Sequence, residues 1–135
     1  MDRQLTVLVV EDHPGVRGVL EQMVESWLNV DLLSCGSFLE AMTCLHEADH
    51  VDLLIADVWL AGEITGVDVA EIAVKTFPSL AVVIISADPA SEVAGLTERY
   101  SFLLKPFDRE QLLEHIDSAY LELKVRMRTT VKAVG

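Results

Sequence analysis

Thr6-Val7-Leu8-Val9-Val10-Glu11-Asp12 and Val51-Asp52-Leu53-Leu54-Ile55-Ala56-Asp57 are two apolar runs that each stop on carboxylates. Short β-branched runs of this kind read as strands buried on both faces, which is what a parallel sheet covered by helices requires. Parallel strands deliver their C-terminal ends to one edge, so Glu11, Asp12 and Asp57 are expected to meet there. Carboxylates crowded into one crevice repel each other, and the arrangement makes sense around a hard cation. Mg²⁺, which takes a few carboxylates together with waters and phosphate oxygens, fits that role.

Two further runs reach the same edge with complementary chemistry. Leu80-Ala81-Val82-Val83-Ile84-Ile85 ends in the hydroxyl of Ser86, and Tyr100-Ser101-Phe102-Leu103-Leu104 ends in Lys105-Pro106. A cation, a hydroxyl, an ammonium and a spare carboxylate together describe a phosphoryl-transfer site. The transition state spreads charge over three equatorial oxygens, which Mg²⁺, Ser86 or a backbone N–H, and Lys105 can each meet, leaving Asp57 as nucleophile.

Strands and helices alternate along the rest of the chain. Pro14 opens a helix whose apolar positions are Val16, Val19, Leu20, Met23, Val24 and Trp27, and His13 reads as its entry residue. A second strand spans about residues 30–34. Ser37 with Glu40, and Asp108 with Gln111, have capping-box spacing for the second and last helices, the second running to about Glu47. This βα alternation implies a doubly wound α/β fold.

Composition narrows the function. At 135 residues with 51% hydrophobic content the chain suits one domain with a single core. It has no apolar window long enough for a membrane span and no signal-peptide pattern at Met1-Asp2-Arg3-Gln4, so a cytoplasmic protein without a membrane partner is expected. A net charge of −12 argues against direct nucleic-acid binding, which needs a basic footprint. Lys124, Arg126, Arg128 and Lys132 make only the tail basic, and it reads as a solvated helix end or a linker stub. Cys35 and Cys44 lack zinc-ligand spacing and read as free, mostly buried thiols with no redox role.

His46-Glu47-Ala48-Asp49-His50 is a literal HExxH. On a helix it would put two imidazoles on one face for zinc, but it falls at the polar end of a short helix with no third ligand, so solvated helix-end histidines are expected. His115 reads as a surface residue.

At its strand ends the chain resembles the receiver domain of bacterial two-component response regulators. The match rests on Glu11-Asp12, Asp57, Ser86-Ala87 and Lys105-Pro106-Phe107, in family order. The resemblance covers roughly residues 5–124, with 125–135 left as a basic C-terminal tail or linker stub. It implies a flavodoxin-like five-stranded parallel sheet of order 2-1-3-4-5, whose β1/β3 switch point coincides with the acidic pocket; this family is itself a standard illustration of that rule. It also implies that Asp57 accepts a phosphoryl group from a histidine kinase or histidine phosphotransfer protein. Asp12 would bind Mg²⁺ directly, Glu11 through water, and the backbone carbonyl of Trp59 would be a further ligand. The Lys105–Pro106 bond would be cis, and Ser86 and Phe102 would form the switch that changes contacts with a downstream protein target, an output domain or a second copy of the chain.

The chain also departs from the family pattern. Ala61 stands where a proline is usual, and one residue is inserted before Gly66, which makes that loop less rigid. The spacing from Ser86 to Lys105 is short by about three residues, nearly one helical turn, so the family's fourth helix is expected to be shortened or irregular. Phe102 replaces the more common tyrosine. Three other functions fit parts of the pattern: a degenerate receiver that signals without phosphorylation, a Mg²⁺-dependent aspartyl-phosphate phosphatase, and a zinc hydrolase. The second lacks an acid two residues after Asp57, where Trp59 stands.

Overall fold

The computed structural model describes residues 4–27, 30–60 and 65–134, with side-chain surroundings described as far as Leu121. The elements follow in the order β1 (Leu5–Val10), α1 (Pro14–Glu25), β2 (Val30–Cys35), α2 (Phe38–Glu47), β3 (Leu53–Asp57), α3 (Gly66–Thr76), β4 (Ala81–Ser86), β5 (Ser101–Leu104) and α4 (Arg109–Val134). All strand pairs are parallel, and the sheet order is β2-β1-β3-β4-β5. The chain therefore has the doubly wound fold that its alternating pattern implies, in the flavodoxin-like order that the resemblance implies.

The side-chain period of two sorts the strands onto two cores. Leu8, Val10, Leu54, Ala56, Val82 and Ile84 face α2 and α3, packing with Ala41, Leu45, Val67 and Ala70. Val7, Val9, Leu53, Ile55, Val83 and Ile85 face the other way, packing with Leu20 and Val24 of α1 and Leu112 and Ile116 of α4. Every residue of β3 and β4 is buried, whereas the edge strand β2 leaves Asp31 and Ser34 in solvent. Within α1, Leu20 and Val24 are buried but Val19 is 50% exposed. Val19 lies one position to the solvent side of the row formed by Val16, Leu20, Met23 and Trp27.

Local signals set the helix ends. His13 caps α1, its Nδ1 accepting from Val16 N at 3.3 Å, with Pro14 as the first helical residue. Asp108 and Gln111 close a full capping box through bonds of 2.8 and 2.9 Å. Ser37 accepts from Glu40 N, but the Glu40 carboxylate reaches back to Gly36 N rather than to the cap itself. Thr65 and Asp68 form a capping box for α3 that the sequence reading did not single out.

No α-helix covers the crossover from β4 to β5. A single 3-10 turn at Ala90–Glu92 stands in its place, followed by Gly95 at φ +81°, a backbone conformation that glycine adopts without steric cost. Val93 and Leu96 are half-buried against the α2/α3 core, while Ala94 between them is exposed. The Arg99 guanidinium fastens the end of this segment by donating to the carbonyls of Pro78 and Leu80. Ala61 and the residue inserted before Gly66 lie outside the described residues.

The surroundings of two histidines differ from the expectation, and the two free cysteines prove to be neighbours. Helix α2 ends at Glu47, and Ala48 turns to extended backbone at ψ 140°, so His46 and His50 never share a helical face. His50 is half-buried instead of solvated: its Nε2 pairs with Thr6 Oγ1 at 3.1 Å and lies 3.9 Å from Asp52 Oδ2. His115 is likewise half-buried, with Nδ1 3.1 Å from Ser101 Oγ. Cys35 and Cys44 are free thiols, but they are adjacent, with Sγ atoms 3.1 Å apart, and burial pushes the Cys35 thiol far above the usual range.

Asp52 closes the end of the sheet opposite the strand ends that carry Glu11 and Asp57. It is buried, and its Oδ2 accepts from Thr6 N at 2.8 Å while its backbone joins β1 to β4. Asp52→Ala leaves that amide without its partner, and is expected to cost about 1–3 kcal/mol by urea unfolding. An unchanged midpoint would contradict the role of this carboxylate.

Candidate functional site

Because every strand is parallel, five strand ends share one edge. In register, Val10 lies beside Cys35 and Ala56, Asp57 beside Ile85, and Ser86 beside Leu104. The ladder continues one residue further through Glu11 N to Cys35 O, Val58 N to Ile85 O and Lys105 N to Ser86 O, at 2.8–3.0 Å. These backbone bonds fix the acidic pair, the central carboxylate and the lysine against one another before any side chain acts.

Asp57 is 4% exposed at the centre of this edge. Its Oδ1 accepts from Trp59 N at 2.9 Å, and its Oδ2 is in direct contact with the Lys105 ammonium. That ammonium also lies 4.0 Å from Glu11 Oε2. Glu11 is 3% exposed, with Oε1 accepting from His13 N at 3.1 Å. Burial, to which the neighbouring Asp57 carboxylate adds, pushes Glu11 up to about 7. Asp12 is half-buried next in the chain. Arg17 steadies the turn by donating to Glu11 O at 2.9 Å.

The donor set suits a hard cation. It consists of carboxylate oxygens, and Glu11 Oε2 is buried without a hydrogen-bond partner. Among the described residues, however, no three His, Cys, Asp or Glu side chains are grouped closely enough to form a metal cage by themselves. Mg²⁺ does not need such a cage, since it usually keeps several waters and takes only one or two carboxylates. Here the Lys105 ammonium, lodged between Asp57 and Glu11, offsets their repulsion.

Ser86 is fully buried, and its Oγ accepts from Asp88 N at 2.9 Å. Asp88 in turn accepts from the Trp59 indole N–H at 2.6 Å, so a bridge crosses the mouth of the pocket from the β3 end to the β4 end. The sequence reading singled out Trp59 but not Asp88, whose position two residues past Ser86 is the only hint the chain gives. Trp59 is 58% exposed, and a cavity of about 210 Å³ lies behind it between Thr65, Asp68, Glu92 and Val93. Phe102 is half-buried on β5 and packs on the α2/α3 core with Tyr100. The Lys105–Pro106 peptide bond is cis.

Comparison with known proteins places this architecture. The profile described as the response regulator receiver domain matches residues 7–117. An NtrX-like response regulator of Rickettsia felis is 30% identical over 115 residues, covering 82% of this chain and 24% of that protein. The phyllosphere-induced regulator PhyR of Methylorubrum extorquens is 30% identical over 107 residues, covering 78% of this chain and 40% of that one. The chain thus spans well under half the length of these curated relatives. Among solved structures, a response regulator receiver protein from Sinorhizobium medicae superposes with a TM-score of 0.81 at 20% identity, covering 90% of this chain and 98% of that one. NtrX from Brucella abortus gives 0.79 at 22% identity over 95% of this chain and 30% of that one. These two similarities establish the shared fold. With the profile spanning both cores and all the strand ends just described, the chain belongs to the response regulator receiver domain family of two-component systems.

Proposed function

We infer that this domain accepts a phosphoryl group on Asp57 in a Mg²⁺-dependent reaction and uses it to switch protein–protein contacts. The observation that carries this reading is the pairing of a 4% exposed Asp57 with the Lys105 ammonium on a sheet edge that also holds Glu11 and Ser86. Glu11, Asp12, Asp57 and the Trp59 carbonyl would hold Mg²⁺, which supplies charge neutralisation at the transferring group. The Asp57 carboxylate attacks phosphorus while the donor's leaving group departs in line. Lys105 exchanges its contact with Asp57 for a phosphoryl oxygen, and the Ser86 hydroxyl turns from Asp88 N to donate to another. The donor would be a histidine kinase or phosphotransfer protein, and the receiver of the signal an output domain or separate protein target.

The switch follows from that exchange. Lys105 N is bonded to Ser86 O, so movement at Ser86 bears on β5 and on Phe102. The phosphoryl group shifts the equilibrium only by its differential affinity for the two arrangements. Incubation with a small-molecule acyl phosphate and Mg²⁺ is expected to give one phosphoryl adduct by intact mass, mapped to the peptide containing Asp57. Absence of the adduct from a folded protein would favour the degenerate receiver.

Metal binding has its own readout. Trp59 lies two residues from the acceptor and its indole is held by Asp88, so its emission should change as Mg²⁺ is added, with Trp27→Phe removing the other tryptophan signal. Asp12→Asn is expected to raise the Mg²⁺ midpoint by about tenfold, a difference of about 1.4 kcal/mol. An unchanged midpoint would remove Asp12 from the ligand set.

A further inference from the structure

The geometry points to Cys35 and Cys44 as a modification site, a dithiol that closes into a reversible intramolecular disulfide when the protein meets a hydroperoxide. Cys35 is the last residue of β2, held beside Val10 in the ladder and by Glu11 N at 3.0 Å. Cys44 lies on α2, which begins only three residues after Cys35, at Phe38, and is anchored on the sheet by Ala41 and Leu45. The two sulfurs meet at this strand–helix seam, 3.1 Å apart. A disulfide needs about 2.05 Å, so closure asks for about 1 Å of sulfur movement, within reach of small side-chain rotations.

Accessibility orders the steps. Cys35 is 1% exposed and Cys44 half-buried, so the oxidant reaches Cys44. The Cys44 sulfur, its proton lost, attacks one peroxide oxygen; the O–O bond breaks, and hydroxide, or an alkoxide from an organic hydroperoxide, leaves with the electron pair. The Cys35 sulfur then attacks the sulfenic sulfur of Cys44, forming the S–S bond. Its proton and the displaced hydroxide leave as water. Two thiols and hydrogen peroxide thus give one disulfide and two waters, and a thiol reductant reverses the change. The chain has only these two cysteines, so the intramolecular product has a single connectivity. The crosslink ties α2 to the end of β2 that hydrogen-bonds the Glu11 amide.

The test uses the full chain, reduced, freed of reductant and exposed to graded hydrogen peroxide. It is then alkylated with N-ethylmaleimide in denaturant and weighed intact. The expected product carries no alkyl group and is lighter than the dithiol by two hydrogens, about 2 Da; dithiothreitol returns it to the doubly alkylated form. It should also melt at higher temperature than the reduced protein. Cys44→Ser, a change at the accessible position, should keep one alkylatable thiol at the same peroxide dose. The proposal is overturned if the wild type stays doubly alkylated, if Cys44 proceeds to sulfinic acid while Cys35 remains alkylatable, or if the disulfide appears only between chains.

Discussion

Asp57→Asn is expected to take up no phosphoryl group under conditions that label the wild type, whereas Asp52→Ala, the other acid of the same apolar run, is expected to be labelled. The asparagine is nearly isosteric, and its side-chain oxygen can still accept from Trp59 N, so the β3 end keeps its shape. What it lacks is the anionic oxygen that attacks phosphorus and pairs with Lys105. Asp52 points its carboxylate to Thr6 at the opposite end of the sheet, away from Ser86 and Lys105. The two variants therefore separate chemistry from stability: one folds without being labelled, the other is labelled but unfolds earlier. Equal labelling of Asp57→Asn and wild type by intact mass would remove Asp57 from its role.

Gly66→Ala is expected to have the largest effect on stability. A Cβ at Gly66 would stand 2.0 Å from the Asp57 carbonyl oxygen, 2.8 Å from its carbonyl carbon and 3.2 Å from Ala56 Cβ. Neither side can yield cheaply, because Asp57 is paired with Ile85 in the ladder and Gly66 N is bonded to Val58 O at 3.0 Å. Helix α3 must lift or β3 must bend, at an expected cost of about 3 kcal/mol or more. Gly18→Ala is the control. Gly18 lies inside α1, and an added Cβ meets nothing within 4 Å, so this change is expected to stabilise by about 0.5–1 kcal/mol. Urea midpoints read both, at unchanged slope. A wild-type midpoint for Gly66→Ala would mean that α3 does not approach the β3 end so closely.

The strand ends were legible because a strand buried on both faces leaves a continuous apolar run, and the residue that breaks the run marks the sheet edge. Glu11, Asp57 and Ser86 follow from that one pattern, and Lys105 from the apolar run of the edge strand β5, of which only Leu103 is buried. The short crossover was legible as well, from the spacing between Ser86 and Lys105. Relations that depend on how the chain turns between elements were not. Cys35 and Cys44 belong to different elements and meet only because β2 leads directly into α2. The end of α2 at Glu47 was legible, but not that the extended backbone after it carries the His50 ring to Thr6 and Asp52 rather than into solvent. His115 finds Ser101 across a strand–helix interface, and Trp59 finds Asp88 across the pocket mouth, pairings that no local spacing announces. The Thr65–Asp68 box closes through an aspartate instead of the Glu or Gln usual at that position, which weakens its local signal.

The missing helix changes how the molecule comes apart. In a crossover made by a helix, lifting the connection uncovers a whole stripe of core, so local opening and global unfolding are nearly one event. Of the apolar side chains in residues 87–98, only Val93 and Leu96 are buried, each in part, and Val93 also lines the cavity beside Trp59. Detaching them exposes little apolar surface, worth on the order of 2–3 kcal/mol, against the 5–15 kcal/mol that typically holds a domain together. The fold therefore has two tiers of cooperativity. An outer tier is made of this connection, and an inner tier is the fully buried pair β3 and β4, whose amides exchange only when the whole sheet opens.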